Sequence, residues 1–251
     1  VLEELFSRIF HVSRKMAASH KELHMEQPAF DPITLHSRIA QKFDSRYATV
    51  IAFRERLEKW SALIRKWIKP GDSVLDAGCG SGFLTACLSG IAGDITALDG
   101  SQEMLNLAKN KFSDEERQKI TFVCHRLPLS CDMPIFDAIL CSSVLEYLDD
   151  MAATLESFYN HLKPGGILIL SYPNILSPKR WLDPVAYRLI KKPSFYPYMR
   201  NRPKLPGRFA KYLKNFGFEE IQRMYSGRIT RINISSLEFI LPLFIMTVRK
   251  K

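Results

Sequence analysis

No two cysteines in this chain have the Cys-x-x-Cys spacing of a metal site. The five that are present, Cys79, Cys87, Cys124, Cys131 and Cys141, are odd in number and scattered. That speaks against a zinc knot and a disulfide framework and fits a reducing, cytoplasmic setting. Long apolar runs are also missing. The most apolar stretch, Ile232 to Val248, is interrupted by Glu238 and Pro242 and falls short of the roughly 20 apolar residues that span a bilayer. It reads better as a loop or short helix entering a last core strand, Phe244 to Val248. The first residues carry Glu3, Glu4, Arg8, Arg14 and Lys15 with no apolar centre, which does not read as a secretory signal. Internal repeats and low-complexity tracts are absent. What remains, 46% apolar and 25% charged over 251 residues, is the composition of a globular chain with one sizeable core.

Acids are nearly missing from one window. Between Leu176 and Lys214 stand eleven bases and the single acid Asp183, which accounts for the net charge of +10. The bases are interleaved with Trp181, Tyr187, Phe195, Tyr196, Tyr198 and Phe209. Such a segment is either a solvated basic surface with its aromatics turned inward or a docking surface for phosphates, anionic lipid headgroups or an acidic substrate. Seven prolines from Pro173 to Pro206 break it into short pieces.

The chemistry begins at Val74, where the chain reads Val-Leu-Asp-Ala-Gly-Cys-Gly-Ser-Gly-Phe-Leu. A short apolar run stopping at an acid and breaking into glycines is a buried strand feeding a tight turn and a helix, where backbone comes close to a ligand. The next apolar run ends in Asp99, 21 positions after Gly78, which places an acid at the tip of the neighbouring strand, within reach of ribose hydroxyls. The glycines stand at 78, 80 and 82, and Phe83 occupies the position where a dinucleotide fingerprint needs its third glycine. No Gly-Lys-Ser/Thr follows. Both NAD and a phosphate-loop nucleotide are therefore disfavoured.

The segment Asp76-Ala-Gly-Cys-Gly-Ser-Gly82 resembles the first motif of the class I S-adenosylmethionine-dependent methyltransferases. Ala97 to Leu105 looks like the second motif of that family, Phe136 to Leu148 like its fourth-strand motif, and Leu162 to Ser171 like its fifth strand and lead-in turn. Four motifs in family order imply a Rossmann-like α/β fold: a seven-stranded, mostly parallel sheet with helices on both faces, an antiparallel last strand and an N-terminal helical extension. Strands are read at 73–78, 94–99, 119–124, 136–142 and 166–172, with helices near 82–90, 101–112 and 149–162; the tail, 217–225 and 244–249, closes the sheet as an antiparallel pair. Upstream, Leu2 to Met16 has amphipathic helical spacing, a proline-bearing linker covers Gln27 to Pro32, and a second helical stretch runs from about Leu35 to Ile68. The division is 1–69 as a helical lid and 70–251 as the cofactor-binding core, with an insertion at 173–214 that joins the lid.

The resemblance also implies roles. S-adenosylmethionine would lie over Gly78, Cys79, Gly80 and Gly82, with Asp76 orienting its ammonium and Asp99, followed by Gly100, taking the ribose diol. Ser101 and Met104 would flank the adenine, and backbone around Ser142 would meet the methionyl end. Each acid also has a structural reading, Asp76 as a cap of the glycine turn and Asp99 as a helix N-cap; Ser101 is an N-cap residue type and Met104 a core filler. The third strand departs from the family: Cys124-His-Arg-Leu-Pro128 lacks the acid that would bond the adenine amino group, leaving His125, a main-chain carbonyl or Asp132.

For the acceptor, Val144 to Leu148 and Ser171-Tyr-Pro-Asn174 look most like the ubiquinone-biosynthesis type of O-methyltransferase. That type offers Glu-x-x-Glu-His to a divalent metal, whereas this chain has Ser143-Val-Leu-Glu-Tyr147, so no metal is expected. Candidate bases are Glu146, Tyr147 and His125, each with a plain reading as helix-start acid, core tyrosine and strand-end histidine. An Asn-Pro-Pro-Tyr signature is absent, which argues against methylation of adenine N6 or of glutamine. The expected activity is methyl transfer to oxygen on a small, aromatic or lipophilic metabolite, with nucleic acid not expected as a partner and contact with an anionic membrane surface through 176–214 held open. An RNA methyltransferase using that basic window, or a cofactor-binding scaffold without catalysis, are the competing readings.

Overall fold

The computed structural model describes residues 31–180, 182–183, 196–227 and 235–251. The amphipathic stretch Leu2 to Met16, most of the proline linker, and Trp181, Tyr187, Arg188, Lys191, Lys192 and Phe195 of the basic window lie outside the described residues.

Two helices come first, α1 (Pro32–Thr49) and α2 (Ile51–Trp67). The sequence pattern reads as one stretch, but Val50 adopts an extended conformation and divides it. The alternating part follows as β1 (Ser73–Ala77), α3 (Phe83–Ser89), β2 (Asp94–Asp99), α4 (Gln102–Lys109), α5 (Asp114–Arg117), β3 (Ile120–Cys124), β4 (Phe136–Cys141), α6 (Met151–Asn160) and β5 (Leu162–Pro173). The chain then gives α7 (Pro206–Lys214), β6 (Phe218–Ser226) and β7 (Leu243–Lys250). α7 begins on Pro206, a position where a proline lacks nothing because the first helical amides have no partner anyway.

The sheet has seven strands in the order β3-β2-β1-β4-β5-β7-β6. β1 to β5 run parallel, and β7 enters antiparallel between β5 and β6. Strand alternation sends Leu75, Ala77, Ile139 and Cys141 to one face, packed with Phe158 of α6, Phe209 of α7 and Tyr172. It sends Val74, Leu140, Ile169 and Ile245 to the other, packed with Trp60, Leu63 and Ile64 of α2. Burial on both faces is why these strands read as unbroken apolar runs. β5 starts at Leu162, earlier than the expected 166, because Leu162 already pairs with Phe136 before the register shifts at Ala138. The chain moves outward from β1 to β3 and then crosses back to β4 beside β1, so the crevice for a ligand opens at the carboxyl ends of β1 and β4.

Candidate functional site

β1 breaks at Gly78 because the chain must turn there under Val144. Gly78 has φ +74, and a Cβ on it would stand 2.2 Å from Val144 Cγ2. Gly80, at φ +54, is different: a Cβ there would meet nothing within 4 Å, so the crest of the elbow faces open space. The amides of Gly78 and Cys79 donate to Leu98 O at 2.7 and 2.9 Å, tying the elbow to β2. Asp99 completes the tie, accepting from Gly80 N at 2.8 Å and from Ser101 N at 2.9 Å.

Two carboxyls therefore lie beside the turn. Asp76 is 1% exposed; burial raises its carboxyl to about 7, the nearby Asp99 adds to the rise, and hydrogen bonds from Thr85 oppose it. Thr85 Oγ1 donates to Asp76 Oδ2 at 2.7 Å, so the acid holds the first turn of α3 as well as facing the elbow. Asp99 is also raised by burial, with the Ser101 and Gly80 amides and His36 opposing. A buried and a half-buried acid this close together favour a cationic ligand, since a nearby positive charge restores their ionised forms. This donor set, with an open crest of main chain at Gly80, fits an adenosyl sulfonium carrying an ammonium and a ribose diol, and it fits a pyrophosphate badly.

The remaining expected cofactor residues fall around the same crevice. Cys79 is buried, its thiol pushed well up by burial. Gly100 passes beneath α1, where a Cβ would stand 2.5 Å from Ile33 Cδ1. Ser101 caps α4 by accepting from Met104 N at 3.2 Å, and both residues are buried. Ser142 is half-buried after β4, and the next residue, Ser143, takes the left-handed conformation with φ 56, an uncommon backbone state for a non-glycine and one that concentrates at functional sites.

Several residues at this crevice were invisible in the sequence because they come from α1 and α2, far away in the chain. Ser37 Oγ bonds to Ser101 Oγ at 2.8 Å. Tyr47 stacks on Phe83 with ring centroids 3.9 Å apart, and Asp44 pairs with Lys111. Arg56 donates to Ser143 Oγ at 3.2 Å and to Tyr47 OH at 3.4 Å. His36 sets its ring edge against Tyr147 at 5.7 Å. No local spacing marks any of them.

The three candidate bases separate. Glu146 sits on a one-turn 3-10 helix, Leu145–Tyr147, directly after β4. It is 3% exposed, and its Oε2 is buried with no hydrogen-bond partner among the described residues. Burial raises this carboxyl to about 7 against the pull of its own amide, Arg180, Arg56 and the Ser143 hydroxyl. Tyr147 is half-buried and its phenol is pushed up, chiefly by burial and then by Glu146. His125 is exposed at the end of β3, where its amide donates to Asp99 O at 3.1 Å. It stands on the β2 side of the crevice, and Asp132 is exposed as well. Among the described residues no group of three or more His, Cys, Asp or Glu could hold a metal ion, and no helix is long and apolar enough to cross a membrane.

Residues 75–168 match the family model described as a methyltransferase domain. The ubiquinone biosynthesis O-methyltransferase of Xanthomonas campestris pv. campestris (strain B100) is 34% identical over 106 residues, 42% of this chain and 44% of that protein. The chain thus spans less than half the length of this curated relative. A demethylmenaquinone methyltransferase of Oceanobacillus iheyensis is 26% identical over 215 residues, 78% of this chain and 90% of the relative. Among solved structures, the N-methyltransferase NodS from Bradyrhizobium japonicum WM9, in complex with S-adenosyl-L-homocysteine, superposes with a TM-score of 0.62 at 17% identity, covering 88% of this chain and 98% of that one. The last likeness speaks for the fold, and the sequence matches speak for the segment that carries the elbow, both strand-end acids and the turn after β4. By that segment, residues 75–168 carry a methyltransferase domain, and the sheet around it has the fold of solved S-adenosylmethionine-dependent methyltransferases.

Proposed function

We propose that the chain transfers a methyl group from S-adenosylmethionine to a hydroxyl oxygen of a small, aromatic or lipophilic acceptor, with Glu146 as the general base. One observation carries this reading: a buried carboxyl with an oxygen unpartnered among the described residues stands on the turn after β4, the turn whose Val144 packs under Gly78 of the elbow. Bound S-adenosylmethionine supplies a methyl group on a positively charged sulfur, activated for in-line displacement. The protein's own part is to hold, dry and deprotonate. Asp76 and Asp99 balance the cationic and diol ends, and the glycine crest lets the ligand lie against main chain. α1 and α2 cover the crevice through Ile33, Ser37, Tyr47 and Arg56, which keeps water from the reacting centre. A carboxyl raised by burial to about 7 is a stronger proton acceptor than an ordinary carboxylate and can take a hydroxyl proton as the oxygen–methyl bond forms.

The names of the two relatives support a quinone-precursor class of acceptor, and that of the O-methyltransferase supports oxygen as the atom that takes the methyl. The described basic residues support presentation of such a lipophilic acceptor at an anionic surface: Arg208 and Lys211 line a cavity of about 450 Å³ with Leu176, Leu205 and Tyr225, beside Arg223, whose guanidinium is already held by Glu220. That cavity shares no residue with the crevice.

Calorimetric titration with S-adenosylhomocysteine and transfer of labelled methyl to 3,4-dihydroxybenzoate test the reading. Expected are tight binding by wild type and by Glu146→Gln, and transfer reduced at least a hundredfold in the variant. Tight binding with no transfer to any hydroxyl acceptor speaks for a scaffold, and absence of binding defeats the cofactor assignment itself.

A further inference from the structure

The turn that carries Glu146 is too short to hold itself. Its one internal bond runs from Tyr147 N to Val144 O at 2.9 Å, and a single 3-10 turn leaves its other carbonyls to outside donors. Three of them are met by two consecutive residues more than fifty positions downstream. Arg200 N and Asn201 N donate to Glu146 O at 2.8 and 3.0 Å. The Asn201 side chain then uses Nδ2 twice, donating to Leu145 O at 2.9 Å and to Leu148 O at 2.7 Å. One asparagine thus binds the carbonyls before, at and just beyond the position of the base.

The segment that brings Asn201 there is anchored in the core. Arg202 O accepts from Tyr172 OH at 3.0 Å, and Tyr172 is fully buried and stacked on Phe209 at 4.5 Å. Lys204 N donates to Pro173 O at 3.1 Å, and Ile175 N donates to Lys204 O at 3.2 Å. The end of β5 is coupled in this way to the one-turn helix that carries Glu146. A neutral amide is the side chain for this task, since it supplies two N–H donors in one plane without placing a charge beside Glu146.

We propose that Asn201 is a positioning residue for Glu146: its amide bridge between Leu145 and Leu148 fixes the turn so that the carboxyl meets the acceptor. The proposal rests on the reading of Glu146 as base. Placement within about half an ångström is what supporting hydrogen bonds give a catalytic group, and a displaced base loses rate with little loss of binding. The groups that share the Glu146 surroundings are Arg56 from α2, Tyr172 from β5, Arg180 and Asp183 from the segment after it, and Cys141, Ser143 and Tyr147 from its own. Loss of the bridge alters their spacing to the carboxyl.

The test uses the full chain with Asn201→Ala and Asn201→Asp, the second keeping size while removing both donors. Three quantities are measured: S-adenosylhomocysteine affinity, labelled-methyl transfer to 3,4-dihydroxybenzoate, and the titration midpoint of the Glu146 carboxyl by carbon-13 NMR, assigned with Glu146→Gln. Expected are affinity within twofold of wild type, kcat lowered at least tenfold with KM little changed, and a midpoint moved by half a pH unit or more. Wild-type transfer and midpoint in both variants overturn the proposal. So does parallel loss of S-adenosylhomocysteine binding, which makes Asn201 a general fold residue. Should Glu146→Gln transfer methyl as well as wild type, the base assignment fails on its own, while the midpoint still reports whether Asn201 positions the carboxyl.

Discussion

The amide of Gly80 donates to Asp99 Oδ2 at 2.8 Å across nineteen residues of chain. The acid that ends β2 is therefore part of the glycine elbow before any ligand arrives, and its second oxygen serves the Ser101 amide. Asp99→Ala removes two charge-assisted hydrogen bonds of about 1.5–3 kcal/mol each. We expect both a lower melting temperature and at least a hundredfold loss of S-adenosylhomocysteine affinity. Asp99→Asn keeps one acceptor oxygen and is expected to recover part of the stability but little of the affinity. Calorimetry and thermal melts on the pair check this; unchanged affinity in the alanine variant removes Asp99 from the ligand site.

The two glycines of the elbow answer differently to the same substitution. Gly78→Ala forces a Cβ to 2.2 Å from Val144 Cγ2, and the positive φ adds its own strain of about 1–2 kcal/mol. We expect a destabilisation of about 3 kcal/mol or more, partly relieved by Val144→Ala in the same chain. Gly80→Ala meets no neighbour and is expected to cost only the strain, yet to weaken S-adenosylhomocysteine binding because its methyl enters the space above the crest. Chemical denaturation of the four chains separates clash from strain, and equal destabilisation at both positions contradicts the geometry.

The sheet was legible in the sequence because its strands are short apolar runs that end in residues forced by geometry. Asp76 to Gly78 and Asp99 to Gly100 mark two strand tips, and 21 positions between Gly78 and Asp99 is the length of one crossover. The side formed by α1 and α2 was not legible. Ser37 meets Ser101 across 64 positions and Arg56 meets Ser143 across 87, pairings that leave no local period. Val50 could not be seen to break the helical stretch, since no proline or glycine marks the break. Ser143 reads as an ordinary polar residue, and only its φ of 56 sets it apart. Asn201, in a stretch read as basic and broken, spends its side chain on carbonyls that no sequence pattern announces.

Asp76 makes stability depend on pH. Its carboxyl moves from 3.8 to about 7 on folding, so the folded state binds more protons than the unfolded state between those values. Stability is then highest below about pH 4, falls as pH rises toward 7, and levels off above. Glu146, raised from 4.5 to about 7, acts in the same direction. Asp76→Asn keeps an acceptor for Thr85 and removes the cost of burying a charge. We expect it to stabilise the ligand-free protein at pH 8 by at least about 1 kcal/mol, to leave it nearly unchanged at pH 4, and to weaken S-adenosylmethionine binding. Denaturant titrations at the two pH values check the sign; a variant destabilised at pH 8 shows that the carboxylate form is the favoured one in the fold.

Tyr47 is placed to decide how long a ligand stays. Its ring stacks on Phe83 at 3.9 Å and its hydroxyl accepts from Arg56 Nη2 at 3.4 Å, so it joins α1 to the first residue of α3 and to α2. An aromatic pair of this kind is worth about 0.5–1.5 kcal/mol beyond its buried area, a factor of roughly 2–10 in an equilibrium. If α1 gates the crevice, Tyr47→Ala is expected to raise both the association and the dissociation rate of S-adenosylhomocysteine by up to that factor, because the stack already closes α1 over the crevice in the ligand-free chain and entry and release pass the same opening. Hydrogen exchange of the α1 amides should accelerate in the variant, and Tyr47→Phe, which keeps the stack, should stay near wild type. Stopped-flow release together with exchange measurements decides the point: faster exchange without faster release means that α1 covers the crevice without gating it.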